Sequence, residues 1–137
     1  MMRMAKEKEV LLVDDDADAA TIVRLLLRSD GYKVRYAKTV EEAKAIISDP
    51  ATAIGVALVD VLMGDDSGLV VLDQIRQEPR LQDIPVILMT GVLESDLQDL
   101  NGDFAYLRKP YNSSELLDAV SGALCEQCDG SGEFAGE

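Results

Sequence analysis

Three consecutive aspartates, Asp14, Asp15 and Asp16, follow directly on the apolar run EVLLV at 9–13. Farther along, Asp60 closes IGVALVD (54–60), Thr90 closes PVILMT (85–90), and Lys109 follows FAYLR (104–108). Carboxylates crowded in this way repel one another unless a cation offsets the charge. If Asp60 meets the Asp14–Asp15 pair, the three form an oxygen-rich site for a hard divalent cation. Mg2+ is the natural occupant, because it needs few carboxylates and keeps water or phosphate oxygens in its other positions; Mn2+ is the alternative. The chemistry that fits is phosphoryl transfer to a carboxylate. Asp60 would be the nucleophile, becoming an aspartyl phosphate. Lys109 would be a point charge on the phosphoryl group, and the Thr90 hydroxyl would hydrogen-bond one of its oxygens.

Other readings of the triplet fit less well. A calcium loop beginning at Asp14 requires glycine at its sixth position and glutamate at its twelfth, where Ala19 and Leu25 stand. The D-x-D-x-[TV] pattern of haloacid-dehalogenase-type phosphatases fails at Asp18 and at Ala20. Asp16 itself reads as a helix N-cap, and Asp65 with Asp66 as a solvated turn. Histidine is absent, which excludes Ser-His-Asp or Cys-His catalysis and imidazole metal ligation within this chain.

The elements that must position these residues alternate. The run 9–13 reads as a buried strand. Ile22, Leu25, Leu26 and Ser29 follow helical spacing, and Gly31 supplies the stop. KVRYA (33–37) has the period of a half-buried or edge strand. Thr39 and Glu42 frame a capping box, T-V-E-E, ahead of a helix with Ala43, Ile46 and Ile47 on its apolar face and Asp49-Pro50 at its end. Residues 54–60 form the next strand. Gly68 precedes a helix with Val71, Leu72 and Ile75 on one side. Residues 85–90 form another buried strand, 94–100 a short helix, and 104–108 a fifth strand. Asn112 with Glu115 caps a last amphipathic helix carried by Leu116, Val120, Ala123 and Leu124. Strand–helix alternation of this kind predicts one α/β domain, a parallel sheet with helices on both faces. Ligands of such sheets sit beyond the carboxyl ends of the strands, so the polar residues at those ends should converge.

The 137 residues suffice for one domain with a core. We divide them into an N-terminal extension (1–8), the domain (9–125) and a Gly-rich polar tail (126–137), read as disordered. The net charge of −13 and pI of about 4.3 argue against a nucleic-acid ligand. No apolar run approaches the ~20 residues of a membrane span, and the start lacks a secretory pattern; a cytoplasmic protein is expected. Cys125 and Cys128 match C-x-x-C-x-G-x-G, a zinc repeat resembling that of DnaJ-type chaperones. One copy supplies two thiolates where a structural zinc needs four ligands, so an exposed thiol pair is the expectation.

VLLVDDD, ALVDVLMGDDSG, VILMTG and FAYLRKP, in this order along residues 9–124, resemble the signature segments of the receiver domain of two-component response regulators. The resemblance implies a doubly wound (βα)5 flavodoxin-like fold with strand order 2-1-3-4-5. It implies that Asp60 accepts phosphate from a histidine kinase or histidine phosphotransfer protein. Asp14 and Asp15 match the family's acidic pair, Asp15 as direct metal ligand and Asp14 acting largely through water. The backbone carbonyl of Leu62 would be a further ligand. Thr90 and Lys109 match the switch hydroxyl and the lysine, and Tyr106 the aromatic switch position. Phosphorylation would change the face around strands four and five for an output partner that the sequence does not name; homodimer formation is open. No conventional enzyme is implied, since such a domain catalyses only its own phosphorylation and dephosphorylation. No output domain follows residue 125, so a stand-alone receiver or one excised from a larger protein is expected.

Two departures bear on this. Gly64 stands where the family has proline, so the loop after Asp60 is expected to be more flexible. The interval 91–108 is short and has Asn101-Gly102-Asp103 in place of the usual Gly-Ala, which predicts a short or irregular fourth helix. These departures motivate an alternative, a degenerate receiver acting as a phosphorylation-independent interaction module. A magnesium-dependent phosphatase acting on other molecules is disfavoured, because no general acid–base residue stands beyond the acidic cluster.

Overall fold

Val10, Leu11, Leu12 and Val13 are all buried, although successive side chains of a strand point to opposite faces. A strand buried on both sides must lie within a sheet covered on both sides. The computed structural model of the chain has that arrangement. It describes residues 9–63, 66–90, 105–109 and 112–129, apart from the side chains of residues 62, 63, 66, 90, 106, 108 and 125–129.

Five parallel strands, β1 (Glu9–Val13), β2 (Lys33–Ala37), β3 (Ile54–Asp60), β4 (Val86–Thr90) and β5 (Ala105–Arg108), form one sheet in the order 2-1-3-4-5. Leu12 lies opposite Tyr36 on one side and Leu58 on the other. Four helices accompany them among the described residues: α1 (Ala17–Ser29), α2 (Val40–Ser48), α3 (Leu69–Gln77) and α4 (Ser113–Asp129). Alternation along the inner strands divides the core. Leu11, Val13, Val59 and Leu88 meet Ala43 and Ile47 of α2 and Val71, Leu72 and Ile75 of α3. Val10, Leu12, Leu58, Ile87 and Met89 meet Ala20, Val23 and Leu27 of α1 and Leu116, Val120 and Leu124 of α4. No helix among the described residues is long and apolar enough to cross a membrane.

Helix ends follow local chemistry. The Asp16 carboxylate accepts from the amides of Asp18 and Ala19 at 3.1 and 3.2 Å and starts α1. Gly31, at φ 95°, ends it. The Tyr32 amide donates to Leu27 O and the Gly31 amide to Arg28 O, both at 3.0 Å, the paired bonds of a Schellman stop. Thr39 accepts from the Glu42 amide at 3.0 Å, while Glu42 takes the Lys38 amide at 2.7 Å, one residue before the N-cap. Asn112 and Glu115 exchange bonds of 2.8 and 2.9 Å.

The structure corrects the phase of α1. The helix buries Ala20, Val23 and Leu27, whereas Ile22 and Leu25 are 60% and 62% exposed. α1 carries two apolar stripes, and the one containing the small Ala20 faces the sheet. Ile22 is left lining a groove of about 410 Å³ with Ala19, Val23, Leu26, Asn112 and Ser113. In the loop after Asp60, Leu62–Met63 pairs antiparallel with Asp66–Ser67, so Asp66, read with Asp65 as a solvated turn, lies in a short ladder; Asp65 lies outside the described residues. α4 runs to Asp129, four residues into the segment read as tail. The expected short helix at 94–100 and residues 130–137 lie outside the described residues.

Candidate functional site

β1 and β3 are neighbours whose helices pack on opposite faces, so a crevice opens beyond their carboxyl ends. Asp14 is the first residue past β1. Its amide extends the ladder to Ala37 O at 3.2 Å. Its carboxylate accepts from the Asp16 amide at 3.0 Å, and its main-chain oxygen accepts from the Tyr36 hydroxyl at 2.8 Å. Asp14 is 1% exposed; Asp15, beside it, is exposed.

Asp60 ends β3 and is 5% exposed. The Lys109 ammonium, just past β5, donates to its Oδ1 at 3.2 Å. One carboxylate oxygen from each of Asp14, Asp15 and Asp60 lies within 4.8 Å of the others. Burial pushes the Asp14 carboxyl up to about 6; the Asp16 amide and Lys109 oppose the rise, and the Asp60 charge adds to it. Three acid oxygens so placed, one on a carboxyl that resists ionising alone, match the donor set and the charge demand of a hard divalent cation. Burial, and then the charge of Asp14, raise the Tyr36 hydroxyl above its ordinary value, so it remains a donor at neutral pH.

The Asp60 loop is held at both ends. The Gly68 amide donates to Val61 O at 2.8 Å, closing the segment that contains the 62–67 ladder. A Cβ at Gly68 would collide with the main-chain oxygen of Asp60 and lie 2.8 Å from Val59 Cγ1. Gly68 has ordinary helical dihedrals, φ −63° and ψ −15°, so glycine is needed there for space. The expected flexibility of this loop concerns Gly64, which with Asp65 lies outside the described residues.

The structure thus brings Asp14, Asp15, Asp60 and Lys109 together. Thr90 ends β4, one residue beyond Met89, which pairs with Asp60. Tyr106, on β5, pairs with Leu88 of β4, and Leu62 opens the short ladder; the side chains of Thr90, Tyr106 and Leu62 lie outside the described set. Sequence reasoning had no role for Tyr36 and saw Gly68 only as the residue before a helix. Neither carries a sequence signal, because the role of each is set by a main-chain oxygen that only the folded chain brings beside it.

A family model described as the response regulator receiver domain matches residues 10–121. The transcriptional regulatory protein CpxR of Klebsiella pneumoniae is 32% identical over 119 residues, which cover 85% of this chain and 49% of that protein. The chain therefore spans about half the length of the curated relatives it matches first. Among solved structures, a CheY-like response regulator receiver domain protein from Methanospirillum hungatei superposes with a TM-score of 0.75 at 32% identity, covering 88% of this chain and 95% of the other. A receiver domain protein from Clostridium thermocellum gives 0.77 at 28% identity, over 88% and 96% of the two chains.

Proposed function

Because the chain belongs to the response regulator receiver domain family, we propose that it is a phosphorylation-controlled binding module whose phosphoacceptor is Asp60. The observation that carries this reading is the meeting of buried Asp60 with Asp14 and Asp15 within 4.8 Å and with Lys109 at 3.2 Å, at the carboxyl edge of the sheet. A carboxylate oxygen of Asp60 attacks the phosphorus of a phosphohistidine on a histidine kinase or phosphotransfer protein. The O–P bond forms as the P–N bond breaks, and the imidazole leaves with the electron pair. Asp14, Asp15, Asp60 and the Leu62 carbonyl would hold Mg2+, or Mn2+ in its place. The cation supplies charge neutralisation for the acid cluster and the incoming phosphoryl oxygens.

The residues of the chain do the positioning. Lys109 already holds one Asp60 oxygen and is placed to follow charge onto the phosphoryl group. Thr90 stands at the next strand end, where its hydroxyl would take a phosphoryl oxygen. Phosphorylation adds roughly two negative charges. Movement of Thr90 and Lys109 toward them, with repacking of Tyr106, would alter the β4–β5 face for an output partner. A cytoplasmic location goes with this reading.

Incubation with acetyl phosphate and Mg2+ should label the parent, and Asp60→Asn should stay unlabelled on a phosphate-affinity gel. Labelling of Asp60→Asn at the parent level refutes the assignment. The alternative is a receiver acting as a phosphorylation-independent interaction module. Beryllofluoride with Mg2+ separates the two readings: shifts of the Asp60 and Tyr106 amides support the switch, and an unchanged spectrum supports the alternative.

A further inference from the structure

Tyr36 lies opposite Leu12 on the edge strand β2, yet its hydroxyl reaches past the end of β1 to the Asp14 main-chain oxygen at 2.8 Å. β2 ends at Ala37, whose carbonyl already takes the Asp14 amide, and the Tyr36 side chain serves the Asp14 carbonyl beyond it. That carbonyl and the Asp15 amide belong to one rigid peptide plane. Fixing its oxygen fixes the direction in which Asp15 leaves the strand.

The three carboxylates are secured unequally. Asp14 is tethered by the Asp16 amide and Asp60 by Lys109. The Asp15 carboxylate is exposed and accepts no hydrogen bond among the described residues, yet one of its oxygens lies within 4.8 Å of the other two acids. Charge repulsion would turn it to solvent, so its placement depends on the main chain that carries it.

The tyrosine is itself braced. The residue packs against the core cluster on the α1 side of the sheet, which contains Val10, Leu12, Val23 and Leu27. The Arg24 guanidinium of α1 lies 5.3 Å from the ring centroid, within cation–π range. Arg24 Nε is buried with no hydrogen-bond partner among the described residues, so ring contact rather than hydrogen bonding accounts for where that end of the side chain lies.

We propose that Tyr36, braced by Arg24, is a positioning residue for the cation site, orienting the Asp14–Asp15 peptide so that the Asp15 carboxylate converges on those of Asp14 and Asp60. This inference rests on the reading of that site as a magnesium site. A phenylalanine at position 36 keeps the ring and its packing and removes only the tether.

The test is a titration of the full chain with MgCl2, followed by amide NMR shifts, for the parent, Tyr36→Phe and Arg24→Met, alongside urea unfolding without metal. Tyr36→Phe should raise the Mg2+ dissociation constant roughly three- to tenfold, the effect of one lost hydrogen bond. The magnesium concentration for half-maximal labelling by acetyl phosphate should rise by the same factor. Arg24→Met should shift both in the same direction by less. If the Tyr36→Phe urea midpoint falls while both metal readouts keep the parent value, the hydroxyl is merely structural and the proposal is overturned. A parent that shows no magnesium shifts overturns the metal reading and this inference together; a binding parent matched by Tyr36→Phe overturns this inference alone.

Discussion

Asp14 holds its proton more tightly than an ordinary aspartate because it is buried beside another acid. Its value of about 6 in the folded chain lies above the 3.8 of an unperturbed carboxyl. The folded state therefore binds the proton better than the unfolded state. Asp14 costs the metal-free domain no stability below about pH 4, and an increasing amount as pH rises to about 6. Metal-free parent should gain stability between pH 7 and pH 5 relative to Asp14→Asn, by on the order of 1 kcal/mol. Urea unfolding of the pair at both values checks this; parallel pH dependence would remove Asp14 as the cause. Magnesium binding should weaken below about pH 6 for the same reason, since the cation competes with that proton. Gly68 supports a second prediction at this scale. Gly68→Ala forces a methyl against the Asp60 main chain and should cost about 1–3 kcal/mol, together with weaker magnesium binding. An unfolding midpoint and magnesium affinity equal to the parent's would show that the loop yields freely. The two acids were legible in the sequence because carboxylates ending apolar strands are conspicuous. Gly68 was not, because its role depends on which oxygen lies beneath it.

At the scale of elements, starts and stops were legible because capping is local. Asp16, Thr39 and Asn112 each bond amides within three residues, and Gly31 turns the chain at its own position. The phase of α1 was not, because Ile22 and Leu25 form as good an apolar stripe in sequence as Val23 and Leu27. The end of α2 has support that no local pattern shows. Arg80, from the loop before β4, donates Nη2 to Ile47 O at 2.7 Å and to Asp49 O at 3.1 Å. It thereby serves the Ile47 carbonyl, which the helix end leaves without an intrahelical partner, and joins the Thr52 amide and hydroxyl on Asp49 O. Arg80→Ala should lower stability by about 1–2 kcal/mol, and Arg80→Lys should recover only part of it, because one ammonium would replace two guanidinium nitrogens, Nη2 on Ile47 O and Asp49 O and Nη1 on Thr52 O at 3.4 Å. Urea denaturation of both variants is the measurement; a midpoint unchanged in Arg80→Ala would show the contact to be dispensable.

Over the whole molecule, 26 acids face 13 bases, so any salt will relieve some repulsion. A defined cation site adds stability by mass action, about 2.7 kcal/mol at a hundred times its dissociation constant. MgCl2 should therefore raise the thermal midpoint more than NaCl of equal ionic strength, and Asp15→Asn should remove most of that excess. Equal shifts with the two salts would reduce the effect to screening. The same division runs through the fold. By itself the sequence determined the alternation of strands and helices, the helix caps and the acids and lysine at strand ends, because periodicity, capping and strand-end chemistry act over a few residues. Only the tertiary structure decided which stripe of α1 meets the sheet, that Gly68 must lack a side chain, that Arg80 serves α2, and that Tyr36 reaches the Asp14 carbonyl. Each of these depends on a distance beyond the reach of local sequence patterns, which is set only when the sheet and its covering helices have packed.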